Sequence, residues 1–157
     1  MVNWVTDVPN QQTGRTSPLR FRFHVAMQGV LGIGGDIGRW SDDERAEARV
    51  LVEDYRRIRP IVQLGAQHWL VPPTPLGTSA VQYVSDARDA TVLFLYQVRG
   101  VLGAGGRRIR LRGLDPARTY RRRADGVATS GAALMAGGVP IHLIGDWRSQ
   151  LQEWMAG

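Results

Sequence analysis

An α/β segment followed by an antiparallel β domain is the fold class that this 157-residue sequence predicts. The stretch from Gly29 to Pro60 reads as strand, glycine turn and capped helix, and beyond Gly65 the hydrophobic period changes from helical to alternating. A further observation limits the first part, since only one other βα candidate precedes Gly29. Two βα units neither close an eight-stranded barrel nor form a free-standing parallel sheet, because their strands would keep unpaired edges. Residues 1–65 therefore read as the end of a larger α/β domain, and residues 66–157 as a β domain.

Taken in order, Met1–Thr6 (MVNWVT) has the β-branched and aromatic content of a strand, and residues 7–17 form a polar loop with Pro9, Asn10 and Gly14. Ser17 followed by Pro18 predicts a helix start, and Leu19, Phe23 and Met27 recur every four residues as one apolar stripe until Gly29. Val30–Ile33 is the second strand, with Gly34 and Gly35 relaxing the turn after it. Ser41 and Glu44 make a capping box, Asp42, Asp43 and Glu44 fill a first turn that favours negative charge, and Leu51, Tyr55, Ile58 and Val62 line one face. Glu53 and Arg57 are expected to pair at i,i+4, and Pro60 is expected to end or kink the helix.

The second half predicts strands at AQHWLV (66–71), SAVQYVS (79–85), ATVLFLYQV (90–98), RRIRLRGL (107–114), TYRRR (119–123), IHL (141–143) and WRSQLQEWM (147–155). Asp86, Asp89, Gly103 and Gly106 supply turns, VPPTPLGT is a proline-rich connection, and Ala132–Ala136 forms a brief helical turn closing at Gly137. The pattern is that of an antiparallel sandwich.

Composition excludes several functions. All 20 basic residues are arginine and are spread along the chain, so the net charge of +6 follows from composition and no nucleic-acid partner is expected. No apolar run approaches the roughly 18 residues that span a bilayer, so no membrane association is expected. No signal peptide is visible at the first residue, which favours a cytoplasmic location. Cysteine is absent and His24, His68 and His142 lie on different elements without metal-ligand spacing, so neither metal nor cofactor is expected.

Among candidate site residues, the glycine cluster 32, 34, 35 and 38 lacks the dinucleotide fingerprint, because Ile37 stands where its last glycine belongs. Asp7 and Asp36 are of more interest, each directly following a predicted strand of a βα unit, where barrel active sites collect. Trp4 lies beside Asp7 and Asn10 in the following loop, and tryptophan suits sugar stacking. The other tryptophans, 40, 69, 147 and 154, are expected to fill cores or a domain contact, and the arginine run 121–123 a solvated strand edge.

Four segments then resemble one family in order and spacing: VPNQQTGR (8–15), FHVAMQGVLGIGGD (23–36), YRRIRPIVQLG (55–65) and RLRGLDPARTY (110–120). Together they are similar to the C-terminal part of α-galactosidases of glycoside hydrolase family 36, and the similarity covers essentially the whole chain. The resemblance implies a retaining hydrolase whose (β/α)8 barrel precedes an antiparallel β-sandwich, with residues 1–65 as the last two βα units. Retention needs two carboxyl groups about 5–5.5 Å apart, one attacking the anomeric carbon and one exchanging the proton.

In that family both are aspartates upstream of the segments matched here, so the resemblance assigns no catalytic residue to this chain. It makes Trp4, Asp7, Asn10 and Asp36 substrate-adjacent candidates on the catalytic face. An α-galactoside is the implied substrate of the complete enzyme, and a homo-oligomer or a companion chain completing the barrel is a possible partner. Gln11, where many relatives have histidine, and Gly34 and Gly35, where many have bulkier residues, depart from the pattern. The alternative from a different class is a noncatalytic carbohydrate-binding or assembly module that docks on a partner chain.

Overall fold

Strands β1 (Val2–Val5) and β2 (Val30–Ile33) pair in parallel, Val2 opposite Val30 and Val5 opposite Ile33. The computed structural model describes residues 1–74, 77–100 and 107–157. Pro75 of the proline-rich connection and the predicted turn residues Gly103 and Gly106 lie outside the described residues. The chain divides into two compact units, Met1–Arg59 and Pro60–Gly157.

In the first unit, parallel neighbours require a crossover, and helix α1 (Leu19–Ala26) lies within it. Leu19, Phe23 and Met27 are buried as their spacing predicts, and so are Phe21, His24 and Ala26. The helix thus buries more than one stripe. Ser17 does not cap it, because Pro18 occupies the N-cap without any side-chain hydrogen bond. The Ser17 carbonyl accepts instead from Arg22 Nε.

Helix α2 (Asp42–Leu64) begins at the capping box the sequence predicts. Ser41 Oγ accepts from the Glu44 N–H at 3.1 Å, and Glu44 Oε2 accepts from the Ser41 N–H at 2.9 Å. Leu51, Tyr55, Ile58 and Val62 are all buried. The helix does not end at Pro60, and one expected ion pair is replaced. Pro60 lies inside the helix, which runs on to Leu64. Pro60 and Arg56 are both exposed, so the carbonyl that loses its partner lies on the exposed side of the helix, where a missing backbone donor costs least. Arg57 pairs with Asp54 and Arg56 with Glu53, both at i,i+3, in place of the expected pair between Glu53 and Arg57.

The second unit is built on a six-stranded antiparallel sheet in the order β3-β4-β5-β10-β7-β8. These strands are β3 (Ala66–Val71), β4 (Thr78–Val84), β5 (Ala90–Gln97), β7 (Thr119–Arg122), β8 (Ala128–Ser130) and β10 (Arg148–Ala156). A two-stranded ribbon of β6 (Arg108–Ile109) and β9 (Val139–Pro140), with helix α3 (Gly131–Ala136), contributes the other layer. Ala80, Val84, Leu93, Leu95 and Trp154 from the sheet share one core with Ile109, Leu111, Leu134 and Val139. The antiparallel sheet and its shared core are consistent with the sandwich expected of the β domain.

Alternation continues through 108–112, arginines exposed and Ile109 and Leu111 buried, yet only Arg108 and Ile109 join a ladder. The next backbone groups find other partners: Leu111 N–H donates to Leu134 O and Arg112 N–H to Gln82 Oε1. The strand expected at 141–143 is displaced to Val139–Pro140, and β8 was not anticipated. Nor is the arginine run 121–123 a sheet edge, since Arg121 and Arg122 belong to β7, which lies between β10 and β8, with Arg122 5.2 Å over the Trp154 ring.

Candidate functional site

Because β1 and β2 are parallel, Val5 and Ile33 end at the same side of the pair, and the loops that follow meet there. The N–H groups of Gly34 and Gly35 both donate to Val5 O. Asp7 Oδ1 accepts from the Asp36 N–H at 3.0 Å, and a Cβ at Gly35 would stand 2.6 Å from that oxygen. Gly35 thus leaves room for the Asp7 carboxylate, which a side chain there would push aside.

Trp4 lies opposite Gly32 in the strand register. A Cβ at Gly32 would come within 2.5 Å of Trp4 Cε3, and one at Gly34 within 3.4 Å of the same atom. The indole is therefore seated on glycine backbone, and the residue remains 60% exposed. It borders a cleft of about 530 Å³ with Thr6, Asp7, Asn10, Gln11, Gln12 and Gly34.

Asn10 shapes this cleft through its own loop. Its Oδ1 accepts from the N–H groups of Gln12 and Thr13 and from the Thr13 hydroxyl, and its Nδ2 donates to Thr6 Oγ1 at 3.0 Å. The loop closes further through Asn10 N–H to Arg15 O and Gly14 N–H to Asn10 O. The Gln11 and Gln12 amides are exposed, with no side-chain partner among the described residues.

Three of the four candidates, Trp4, Asp7 and Asn10, thus line one cleft. Asp36 does not line it. Its carboxylate caps the 3-10 turn Ile37–Arg39 by accepting from the Gly38 N–H, and only its backbone reaches Asp7. Gln12 and Thr6 were missed; the only sequence signal for them was their position around Asn10.

A smaller pocket of about 140 Å³ adjoins on the far side of Asp7, lined by Val8, Arg22, Arg39, Trp40 and Glu44. Arg22 donates to Thr6 O and Ser17 O, joining the two ends of the 7–17 loop. Burial lowers the pKa of its guanidinium, while the Glu44 and Asp7 charges oppose that shift. Asp7 and Glu44 both face this cation, and each has a backbone N–H partner.

Of the five tryptophans, Trp40 and Trp154 are buried, whereas Trp4 and Trp69 are exposed, so core filling accounts for only part of the set. Among the described residues no group of histidine, cysteine, aspartate and glutamate side chains is arranged to hold a metal ion, and no helix is long and apolar enough to cross a membrane.

The family model described as the glycosyl hydrolase family 36 C-terminal domain matches residues 78–153, and the Melibiase model matches residues 1–65. The chain belongs to glycoside hydrolase family 36. Among curated relatives, the probable α-galactosidase G of Emericella nidulans is 36% identical over 148 residues, covering 94% of this chain and 20% of that protein. The α-galactosidase AgaA of Geobacillus stearothermophilus is 33% identical over 137 residues, covering 87% of this chain and 19% of that protein.

Solved structures agree. The family 36 α-galactosidase AgaB from Geobacillus stearothermophilus superposes with a TM-score of 0.93 at 32% identity, over 100% of this chain and 22% of that one. A variant of AgaA solved in complex with raffinose gives 0.91 at 30% identity, over 98% of this chain and 21% of that one. The chain thus spans about a fifth of the length of the curated relatives it matches.

Proposed function

We propose that this chain supplies the C-terminal portion of a retaining α-galactosidase. Residues 1–65 are the last two βα units of its (β/α)8 barrel, and residues 66–157 its β-sandwich domain. One observation carries the reading beyond family membership: β1 and β2 pair only with each other among the described residues, and they present exposed Val2, Trp4 and Val30. A two-stranded parallel sheet is not an independent structure, so those edges call for further strands.

In this reading the cleft beside Trp4 and Asp7 is part of the rim around the substrate, and Asn10 holds the shape of that rim. Asp36 is adjacent through its backbone. The bond-breaking pair lies outside these 157 residues. Asp7 and Glu44 border one pocket, but both are engaged by backbone N–H groups and share the Arg22 cation, a structural arrangement rather than an acid with its nucleophile. The chain by itself is therefore inactive. The purified chain assayed on an aryl α-galactoside will give no turnover above background; turnover would overthrow the assignment of both catalytic carboxylates to other residues.

A second reading, a noncatalytic carbohydrate-binding or assembly module, is favoured by the same exposed apolar edge, which suits docking on a partner chain. Size-exclusion chromatography separates the two, since a well-behaved monomer without sugar affinity counts against the module.

A further inference from the structure

We infer that the pair Asp125 and Gly126 is a site of backbone isomerisation to isoaspartate, and that the Arg122 guanidinium holds this reaction back by gripping both oxygens of the Asp125 carboxylate.

Aspartate followed by glycine is especially prone to this change, because no side chain shields the glycine nitrogen from the neighbouring carboxyl group. The sequence contains one such pair. It lies in the connection between β7 and β8, which is closed by Arg122 N–H to Val127 O and Gly126 N–H to Arg122 O, both 2.8 Å. Gly126 adopts a φ of 72°, a left-handed conformation that disfavours any residue with a Cβ. The turn thus needs the glycine that makes its aspartate vulnerable.

The reaction uses no outside reagent but water. The Gly126 nitrogen attacks Asp125 Cγ; an N–Cγ bond forms, a Cγ–O bond breaks, and the amide proton leaves with the carboxyl hydroxyl as water. A second water then opens the succinimide ring. Attack at Cγ returns aspartate, and attack at the backbone carbonyl carbon leaves a chain that runs through Cγ and is one methylene longer.

The first step is opposed at both reacting groups. The Gly126 N–H is engaged by Arg122 O. Asp125 Oδ1 accepts from Arg122 Nε at 2.9 Å and Oδ2 from Arg122 Nη2 at 2.6 Å, a two-pronged bond that fixes the plane of the carboxylate. The Val127 N–H adds a third donor, to Oδ1 at 3.3 Å. Hydrogen bonding to Arg122, aided by Val127, holds the carboxyl pKa below its ordinary value, so the protonated form from which water is lost becomes scarcer. The guanidinium itself lies 5.2 Å over the ring of buried Trp154, its partner in the ladder, which anchors the grip to the core of the domain. The Asp125 side chain remains 46% exposed, so water reaches it once the grip opens.

The test incubates the folded 157-residue chain at neutral pH and body temperature for several weeks, beside the same chain in guanidinium chloride. Isoaspartate is measured by enzymatic methylation of the new carboxyl group and located by peptide mapping with mass spectrometry. In the denatured chain it is expected first at Asp125, and in the folded chain at a fraction of that rate. Arg122→Gln removes the two-pronged bond and raises the folded-state rate by about threefold or more, the factor that a partly exposed ion pair is worth. Arg122→Lys keeps the charge and the stem over Trp154 but cannot grip both oxygens, so it also accelerates the reaction, by less. It carries the test should Arg122→Gln loosen the domain, which circular dichroism checks. Arg121→Ala removes a different bond from the same turn, Arg121 Nη1 to Gly126 O at 2.8 Å, and is expected to leave the rate near that of the parent. The inference is overturned if either Arg122 variant, while folded, isomerises at the parent rate, if Arg121→Ala accelerates as much as Arg122→Gln, or if the denatured chain forms isoaspartate elsewhere and not at Asp125.

Discussion

The backbone N–H of Asp36 donates to Asp7 Oδ1 over 3.0 Å, tying the loop after the first strand to the loop after the second. Beneath that bond lies Gly35, whose missing side chain leaves room for the carboxylate. Asp7→Ala removes the tie and is expected to cost about 1 kcal/mol, the scale of one partly exposed hydrogen bond. Asp7→Asn keeps an acceptor and costs less. Gly35→Ala is expected to disturb both loops more than either, since its Cβ would meet Asp7 Oδ1 at 2.6 Å and Asp7 N at 3.1 Å. Amide exchange at Asp36 is the readout; equal protection in all three variants would show that the tie is incidental.

Tyr55 connects the long helix to β2. Its hydroxyl donates to Gly29 O at 2.8 Å and accepts from the Leu31 N–H at 3.2 Å, so one side chain satisfies two backbone groups at the start of the strand. Tyr55→Phe keeps the ring and leaves both groups without it, at an expected cost of about 1–3 kcal/mol. A urea midpoint unchanged from the parent would mean that solvent replaces the hydroxyl at no cost.

The β domain has a polar counterpart in its core. Gln82 is fully buried; its Nε2 donates to Thr91 Oγ1 and Arg112 O, its Oε1 accepts from the Arg112 N–H, and Thr91 Oγ1 donates in turn to Tyr83 O. The network joins the large sheet to the segment that follows β6. Gln82→Leu leaves the Arg112 backbone and the Thr91 hydroxyl short of partners and is expected to destabilise the domain by about 2–4 kcal/mol. Thermal unfolding of the variant measures this, and a loss under about 1 kcal/mol would indicate a network replaceable by apolar packing.

These contacts also mark how far sequence reasoning reaches. The Ser41–Glu44 box, the buried positions of α2 and the bounds of β3 were legible because each depends on neighbours within a few residues. Pro60 misled because a rule about backbone donors takes no account of exposure. The position of Trp4 above Gly32 comes from parallel register across 28 positions, and Gln82 reaches Arg112 across 30. No local pattern encodes either pairing. At the candidate site, strand-end position alone singled out Asp7 and Asp36 equally; only the loop geometry separates the one that lines the cleft from the one that caps a turn.

His24 supplies a pH dependence with a defined sign. It is 3% exposed on α1, and burial lowers its pKa from 6.5 to about 4, with the Arg20 charge adding to the shift and Asp54 opposing it. Above pH 6.5 the imidazole is neutral whether the chain is folded or not, and it contributes no pH dependence. As pH falls from 6.5 towards 4 the unfolded chain takes up a proton that the folded chain refuses, so stability declines across that window and levels off below it. The full loss is about 3 kcal/mol, because each tenfold difference in proton affinity between the folded and unfolded chain is worth roughly 1.4 kcal/mol. Urea unfolding followed from pH 7.5 to 4.5, in steps of about half a pH unit, is expected to show this slope in the parent chain and a much flatter one in His24→Gln. Identical slopes in the two proteins would assign the pH dependence to the carboxylates instead.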